Sequence, residues 1–360
     1  MENINTYLRW RGDLKISKRH PLNIPDAVIL ARISYLPFDK IILDNHETVF
    51  SATEKMLKLK PKDFRWPDDS EFAKNLNQSR RFSPMRLTHY MKNNNKDIEQ
   101  QFSAITVHLG GTSMYLSFFG TDDTITGWKE DFNLTILDVI PAQKIGAEYT
   151  RTLMRRYPHK KVYLGGHSKG GNIAMYAAIT MPDQAQYRLK SVFNFDGPGL
   201  REDIRNLDKG VSVLPKIHSY IPQGSIIGRL LNHAEEFTVV ESTAKGIYQH
   251  DVYSWIVDRD HFRLSTTTKA SDFANDTIDR WLASASIEER KIFLDGMFGV
   301  FQKNDIDSPV IFIQNWTKAL PKVLKSYRNI PKEERKIITS VWKKLGQSFI
   351  ATRRAERPKH

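Results

Sequence analysis

The sequence predicts an α/β fold: a mostly parallel central sheet flanked by helices, with helical additions at both ends. Three observations carry that expectation. An apolar run, Val162-Tyr163-Leu164, enters the turn Gly165-Gly166-His167-Ser168-Lys169-Gly170-Gly171 and leaves it as a helix-forming run, Asn172-Ile173-Ala174-Met175-Tyr176-Ala177-Ala178. A second run, Ser191-Val192-Phe193-Asn194-Phe195, ends in Asp196-Gly197-Pro198-Gly199, as a strand does when it meets a turn. Upstream, residues 141–157 have the pattern and the length of the crossover helix that two parallel strands require.

The chain reads as three parts. Residues 1–100 are mostly helical in pattern: Pro25-Asp26 opens a helix through Ile33, and 84–90 reads as another. Between them 58–69 is basic and proline-interrupted, an exposed loop on this reading. Residues 101–265 carry the sheet. There 102–107 and 112–119 flank Gly110-Gly111, a hairpin signature, and further strands are expected at 189–195, 216–221 and 236–241, with a helix at 226–236. Residues 266–360 return to helix, with Ile337, Ile338, Val341, Trp342, Leu345 and Phe349 on one face.

Composition narrows the class. A chain of 360 residues has room for one large domain plus additions, and 40% hydrophobic with 26% charged residues is a globular balance. With no cysteine there is no disulfide framework and no thiolate metal site. Residues 1–13 lack the apolar core of a signal peptide, and no window approaches ~18 apolar residues, so a cytoplasmic protein without a spanning helix is expected. No metal or organic cofactor is implied. Charge is uneven: residues 309–360 hold 13 Lys and Arg against 3 Asp and Glu, in a chain whose net charge is +13. A basic segment with an apolar stripe suits peripheral contact with an anionic membrane; the plainer reading is a solvated helix face packed on a core. A pI of 9.6 suits nucleic acid, but no recognition motif accompanies it.

The chemistry lies in Gly166-His167-Ser168-Lys169-Gly170. Gly-x-Ser-x-Gly between strand and helix is a nucleophile elbow, which lifts the serine hydroxyl above the sheet. A phosphate-binding turn is the rival, but the Walker spacing is absent. An elbow serine needs an acid and then a base further along the chain. Asp196 stands at a strand end, the edge where ligands of open α/β sheets bind, although it also suits a turn cap. His250, in Gln249-His250-Asp251, is the base candidate. His261 competes with it; His218, inside a strand, and His233, on the expected helix, are weaker. Oxyanion donors are expected from the backbone N–H of Lys169 and from Thr121, by its N–H and hydroxyl, after the strand ending Phe118-Phe119-Gly120.

These blocks carry a resemblance. Phe118-Phe119-Gly120-Thr121-Asp122-Asp123 with Gly127-Trp128-Lys129-Glu130-Asp131, and Gly166-His167-Ser168 with Gly170-Gly171, resemble the oxyanion and elbow motifs of class 3 lipases. A closer resemblance is to a family of bacterial lipase-like proteins, the Mbeg-like proteins. It rests on Tyr7-Leu8-Arg9-Trp10-Arg11-Gly12-Asp13, Asp26-Ala27, Ile33-Ser34-Tyr35, the elbow with Asn172, Phe195-Asp196-Gly197-Pro198-Gly199, and the segment from Gln249 to Trp255. It implies an α/β-hydrolase fold with Ser168 as nucleophile, His250 as base and Thr121 in the oxyanion hole. Two departures stand out. Class 3 lipases place the acid after the next strand, where this chain has Pro222-Gln223-Gly224-Ser225; and Phe119 replaces their arginine. Either Asp196 supplies the acid or the triad is incomplete. The expected function is a serine hydrolase acting on a carboxylic ester, the alternative an inactive binding or regulatory protein of the same fold.

Overall fold

The computed structural model describes residues 3–303, except 45, 123, 204, 205 and 207–209, together with 327 and 330–355. Its centre is a seven-stranded sheet whose spatial order is its sequence order: β1 (Arg86–Asn95), β2 (Gln100–His108), β3 (Ser113–Phe118), β4 (Lys161–His167), β5 (Leu189–Phe195), β6 (Ile217–Pro222) and β7 (Phe237–Val240). β2 and β3 form the expected hairpin, antiparallel with Ala104 opposite Phe118; from β3 to β7 every pairing is parallel. The helix Pro141–Arg156 makes the crossover from β3 to β4, and Lys169–Ile179 that from β4 to β5. This is a mostly parallel α/β fold. All strands from β3 on point their carboxyl ends to one edge, so Phe118, His167 and Phe195 end side by side there.

Three expectations need correction. Residues 84–90 are not a helix, because β1 begins at Arg86. Met85, Leu87, Tyr90 and Met91 satisfy either period, and pairing with β2 decided. The helix expected at 226–236 is only a short turn, Ile227–Arg229. The loop 58–69 is not wholly exposed: Phe64 is buried, and Asp69 lies fully buried against Arg32.

The chain divides into two compact units, one of residues 1–93, 102–120 and 142–268, the other of 94–101, 121–141 and 269–360. In the first, the helix Ile24–Ile33 starts from a capping box between Asn23 and Asp26 and is buried from Pro25 to Ile33. Its carbonyls take hydrogen bonds from β3: Tyr115 Oη donates to Ala27 O at 3.0 Å and Ser117 Oγ to Leu30 O at 2.8 Å. Asp26 then accepts from Tyr7 Oη at 2.8 Å and pairs with the buried Arg81. These bonds fix the end of the helix, and with it Tyr35.

In the second unit the helices Ile125–Asn133, Lys269–Ser284, Ile287–Lys303 and Lys332–Ala355 surround a core that includes Phe293, Phe298, Ile338 and Val341. Trp342 and Phe349, expected on the same stripe, remain exposed, 54% and 47%. Much of the basic segment on which membrane contact was expected, 309–326, 328–329 and 356–360, lies outside the described residues. Among the described residues no helix is long and apolar enough to cross a membrane.

Candidate active site

The elbow is where β4 meets its helix at contact distance. A Cβ on Gly166 would lie 2.4 Å from the Gly170 carbonyl carbon, and one on Gly170 would lie 2.2 Å from Phe118 O, so both positions must be glycine. Between them Ser168 has φ 59° and ψ −136°, a conformation that costs a non-glycine residue on the order of 1–3 kcal/mol. Ser168 N–H donates to Phe195 O at 2.9 Å, which ties the elbow to β5. Among the described residues the Ser168 hydroxyl makes no hydrogen bond. Lys169 opens the helix, so its N–H belongs to the helix end, where donors point outward.

Asp196 follows β5 at φ 50° and is buried. The turn that holds it is pinned twice: Gly197 N–H donates to Asn194 Oδ1 at 2.9 Å, and Asn172 Nδ2 donates to Gly199 O at 2.6 Å. One carboxylate oxygen meets His250 Nδ1 at 2.6 Å. The other accepts from Ser225 Oγ at 2.5 Å, and Ser225 Oγ in turn accepts from Gly228 N–H at 3.1 Å. The structure thus brings together the aspartate and histidine that the sequence singled out. Ser225, which with Gln223 is one of the two residues expected where a carboxylate would stand, donates to that aspartate.

His167 joins the elbow to the histidine loop. A carbonyl can only accept, so His167 Nε2 carries the proton and donates to His250 O at 2.7 Å. His167 Nδ1 is then the acceptor for Tyr35 Oη, 3.0 Å away. Burial first, then the charges of His250, Arg32 and Arg65, push His167 well below the usual imidazole range, so it stays neutral. The rings of His167 and His250 lie 4.4 Å apart. His250 thereby stands beside the residue that precedes Ser168. Tyr35 Oη also accepts from Gly120 N–H at 3.2 Å, and a Cβ on Gly120 would lie 3.1 Å from Ser168 Cβ, so the end of β3 borders the nucleophile.

The remaining candidates fall elsewhere. Thr121 gives its hydroxyl to Asp131 Oδ2 on the helix Ile125–Asn133, so the hydroxyl expected in the oxyanion hole is engaged and only the N–H is left for that role. His261 is exposed in the ribbon β8 (Val257–Asp258) and β9 (His261–Phe262), paired with Asp260. His218 stacks on Phe193 within β6, and His233 is held by Glu235 and Leu230 O. Asp251 accepts from Tyr253 N–H and sits in the field of Arg32, Asp68 and Asp69, so it belongs to another network. Sequence reasoning left Tyr35 and Ser225 without roles. Tyr35 lies 132 residues from His167 and has no local signal beyond its Ile33-Ser34-Tyr35 block. Among the described residues no group of His, Asp and Glu is arranged to hold a metal ion.

A strained serine between strand and helix, with a His–Asp pair whose aspartate is buried at the carboxyl edge of a mostly parallel sheet, defines the α/β-hydrolase fold. Residues 76–299 match the Mbeg1-like family, and the chain belongs to it. Similar solved structures are lipases at low identity. A fungal lipase–inhibitor complex is 13% identical over 61% of this chain and 80% of its own, with a TM-score of 0.38. Rhizomucor miehei lipase in its propeptide complex is 13% identical over 72% and 77%, with a TM-score of 0.40. Lip2 lipase from Yarrowia lipolytica is 12% identical over 60% and 78%, with a TM-score of 0.32. Superpositions this loose add nothing to what the strand order states. None of the curated proteins matches the chain.

Proposed function

We propose that this protein is a serine hydrolase that cleaves a carboxylic ester, of a lipid or another acyl compound, through an acyl-enzyme. The observation that carries the reading is the 2.6 Å pairing of His250 with the buried Asp196, with the His250 ring against His167, the residue before an elbow serine whose hydroxyl makes no hydrogen bond among the described residues. Asp196 accepts the Nδ1 proton of His250 and leaves Nε2 as the acceptor. Ser168 Oγ attacks the ester carbonyl as Nε2 takes its proton. The tetrahedral oxyanion is held by the N–H of Lys169. The imidazolium then protonates the leaving alcohol, the carbon–oxygen bond breaks, and the acyl group stays on Ser168. Water, deprotonated by the same nitrogen, releases the acid and restores the serine.

The alternative, an inactive binding protein, drew its support from the missing carboxylate after Pro222. The pairing of Asp196 with His250 favours the catalytic reading over it. The test is labelling by a fluorophosphonate together with hydrolysis of short-chain p-nitrophenyl esters. Both are expected in the parent and neither in Ser168→Ala, which removes one hydroxyl and leaves the turn. Labelling that persists in Ser168→Ala, or a parent inert in both assays, refutes the reading.

A further inference from the structure

The helix Lys332–Ala355 carries a second face that its core does not use. Its buried residues, Ile338, Val341, Ser348 and Thr352, mark the side that packs on the helices Lys269–Ser284 and Ile287–Lys303. Beside that stripe runs another row: Trp342, Gly346, Phe349, Ile350 and Arg353, at the spacing of one helical face. Ile350 is 51% exposed, much as Trp342 and Phe349 are. A Cβ on Gly346 would meet no described atom within 4 Å, so among the described residues nothing packs over the middle of the row.

The two rings are exposed but not loose. Trp342 stands edge-on to Phe293 with ring centroids 5.3 Å apart, and Phe349 edge-on to Phe273 at 5.0 Å. Each is gripped on one side by the protein and offers the other to solvent. Burying that outer side would order side chains that are already ordered, so little rotamer entropy opposes it.

Cations border the row. Lys336, Lys343 and Arg354 follow one flank, since separations of seven and eleven residues return to the same side of a helix. Arg353 and Arg354 stand one turn beyond Phe349 and Ile350, and all four cations are exposed. The helix holds seven Lys and Arg against two Glu. Both glutamates lie in its first turn, where Glu333 pairs with Lys336; from Trp342 to Ala355 there is no acid. Lys344 pairs with Glu289 and belongs to the packed side.

This combination selects its occupant. A second copy of the chain would lay one acid-free row on another, cation against cation. A neutral apolar partner would leave the border unused. An anionic bilayer suits both parts: the three apolar side chains enter the boundary between headgroups and acyl chains, and the long cationic side chains bend back to the lipid phosphates.

We propose that this face docks the protein on an anionic membrane surface, with Trp342, Phe349 and Ile350 inserted and Lys343, Arg353 and Arg354 against the headgroups. The docking surface goes beyond the ester chemistry and does not depend on it.

The experiment floats the full chain with phosphatidylcholine vesicles, with and without phosphatidylglycerol, at low and high salt. Two double variants are compared with the parent: Phe349→Ser with Ile350→Ser, and Arg353→Gln with Arg354→Gln. Binding that needs phosphatidylglycerol, weakens with salt and falls on the order of tenfold or more in each double variant supports the proposal. Brominated lipid is expected to quench tryptophan fluorescence in the parent and to quench it less in Trp342→Phe. No binding, equal binding to phosphatidylcholine alone, or binding indifferent to both double variants overturns it. Self-association that the same substitutions abolish, without vesicle binding, gives the face to a second copy and overturns it as well. The arginine pair is exposed, so circular dichroism and fluorophosphonate labelling of that variant are expected to match the parent, which separates loss of docking from loss of the fold.

Discussion

At the residue scale the unusual feature is the acid. Asp196 is buried and uses both oxygens, one for His250 and one for Ser225. Asp196→Asn keeps the shape but offers an amide where the imidazole needs an acceptor, which favours the wrong tautomer; kcat is expected to fall on the order of 10⁴-fold. An Asn variant as fast as the parent would show that Asp196 is only a turn residue. Ser225→Ala removes a bond to a charged group, the kind that contributes about 1.5–3 kcal/mol, so kcat should drop on the order of 10- to 100-fold with KM little changed. Steady-state kinetics on a soluble ester read that split, and a loss confined to KM counts against a positioning role. Gly228 belongs to the same arrangement: a Cβ there would lie 2.2 Å from Asp196 Oδ1.

At the element scale the helix Ile24–Ile33 connects the N-terminal residues to the site. It is locked to β3 by the bonds from Tyr115 and Ser117, and its first turn is locked by Asp26 to Tyr7 and Arg81. Asp26→Asn leaves the Arg81 guanidinium buried without its counter-charge, a defect that costs about 3–5 kcal/mol. Urea unfolding is expected to show that loss; a variant within 1 kcal/mol of the parent, as about one ordinary surface change would be, contradicts it. The helix ends just before Tyr35, whose hydroxyl meets His167 and Gly120, so the same defect should also slow ester hydrolysis.

At the scale of the whole molecule, acid should destabilise the fold through buried neutral imidazoles. His167 is held well below the usual value and His108 at about 4, in both cases chiefly by burial. Unfolded, each takes up a proton near pH 6.5; folded, each resists. The unfolded chain therefore binds more protons throughout that interval, and the stability these groups contribute is present above pH 6.5 and lost as pH falls toward 4. Urea midpoints should decline steadily from pH 7 to pH 5, and less steeply in His108→Gln. A midpoint that rises on acidification contradicts the assignment.

The sequence by itself determined the elbow and the parallel strands either side of it, and it singled out Asp196 and His250 while leaving His261 and an incomplete triad open; their pairing is read only from the fold. Each depends on local chemistry: glycines where backbones touch, apolar runs of strand length, and a carboxylate at a strand end. It could not determine that 84–90 pairs as β1, since its apolar residues fit both periods and only a neighbouring strand decides between them. Nor could it supply partners such as Tyr35 for His167 or Ser225 for Asp196, whose separations of 132 and 29 residues are bridged only once the sheet has formed. The Thr121 hydroxyl, taken by Asp131, follows the same rule. A side chain's donors are assigned by whatever the fold brings within 3 Å, and that is a property of packing rather than of neighbours along the chain.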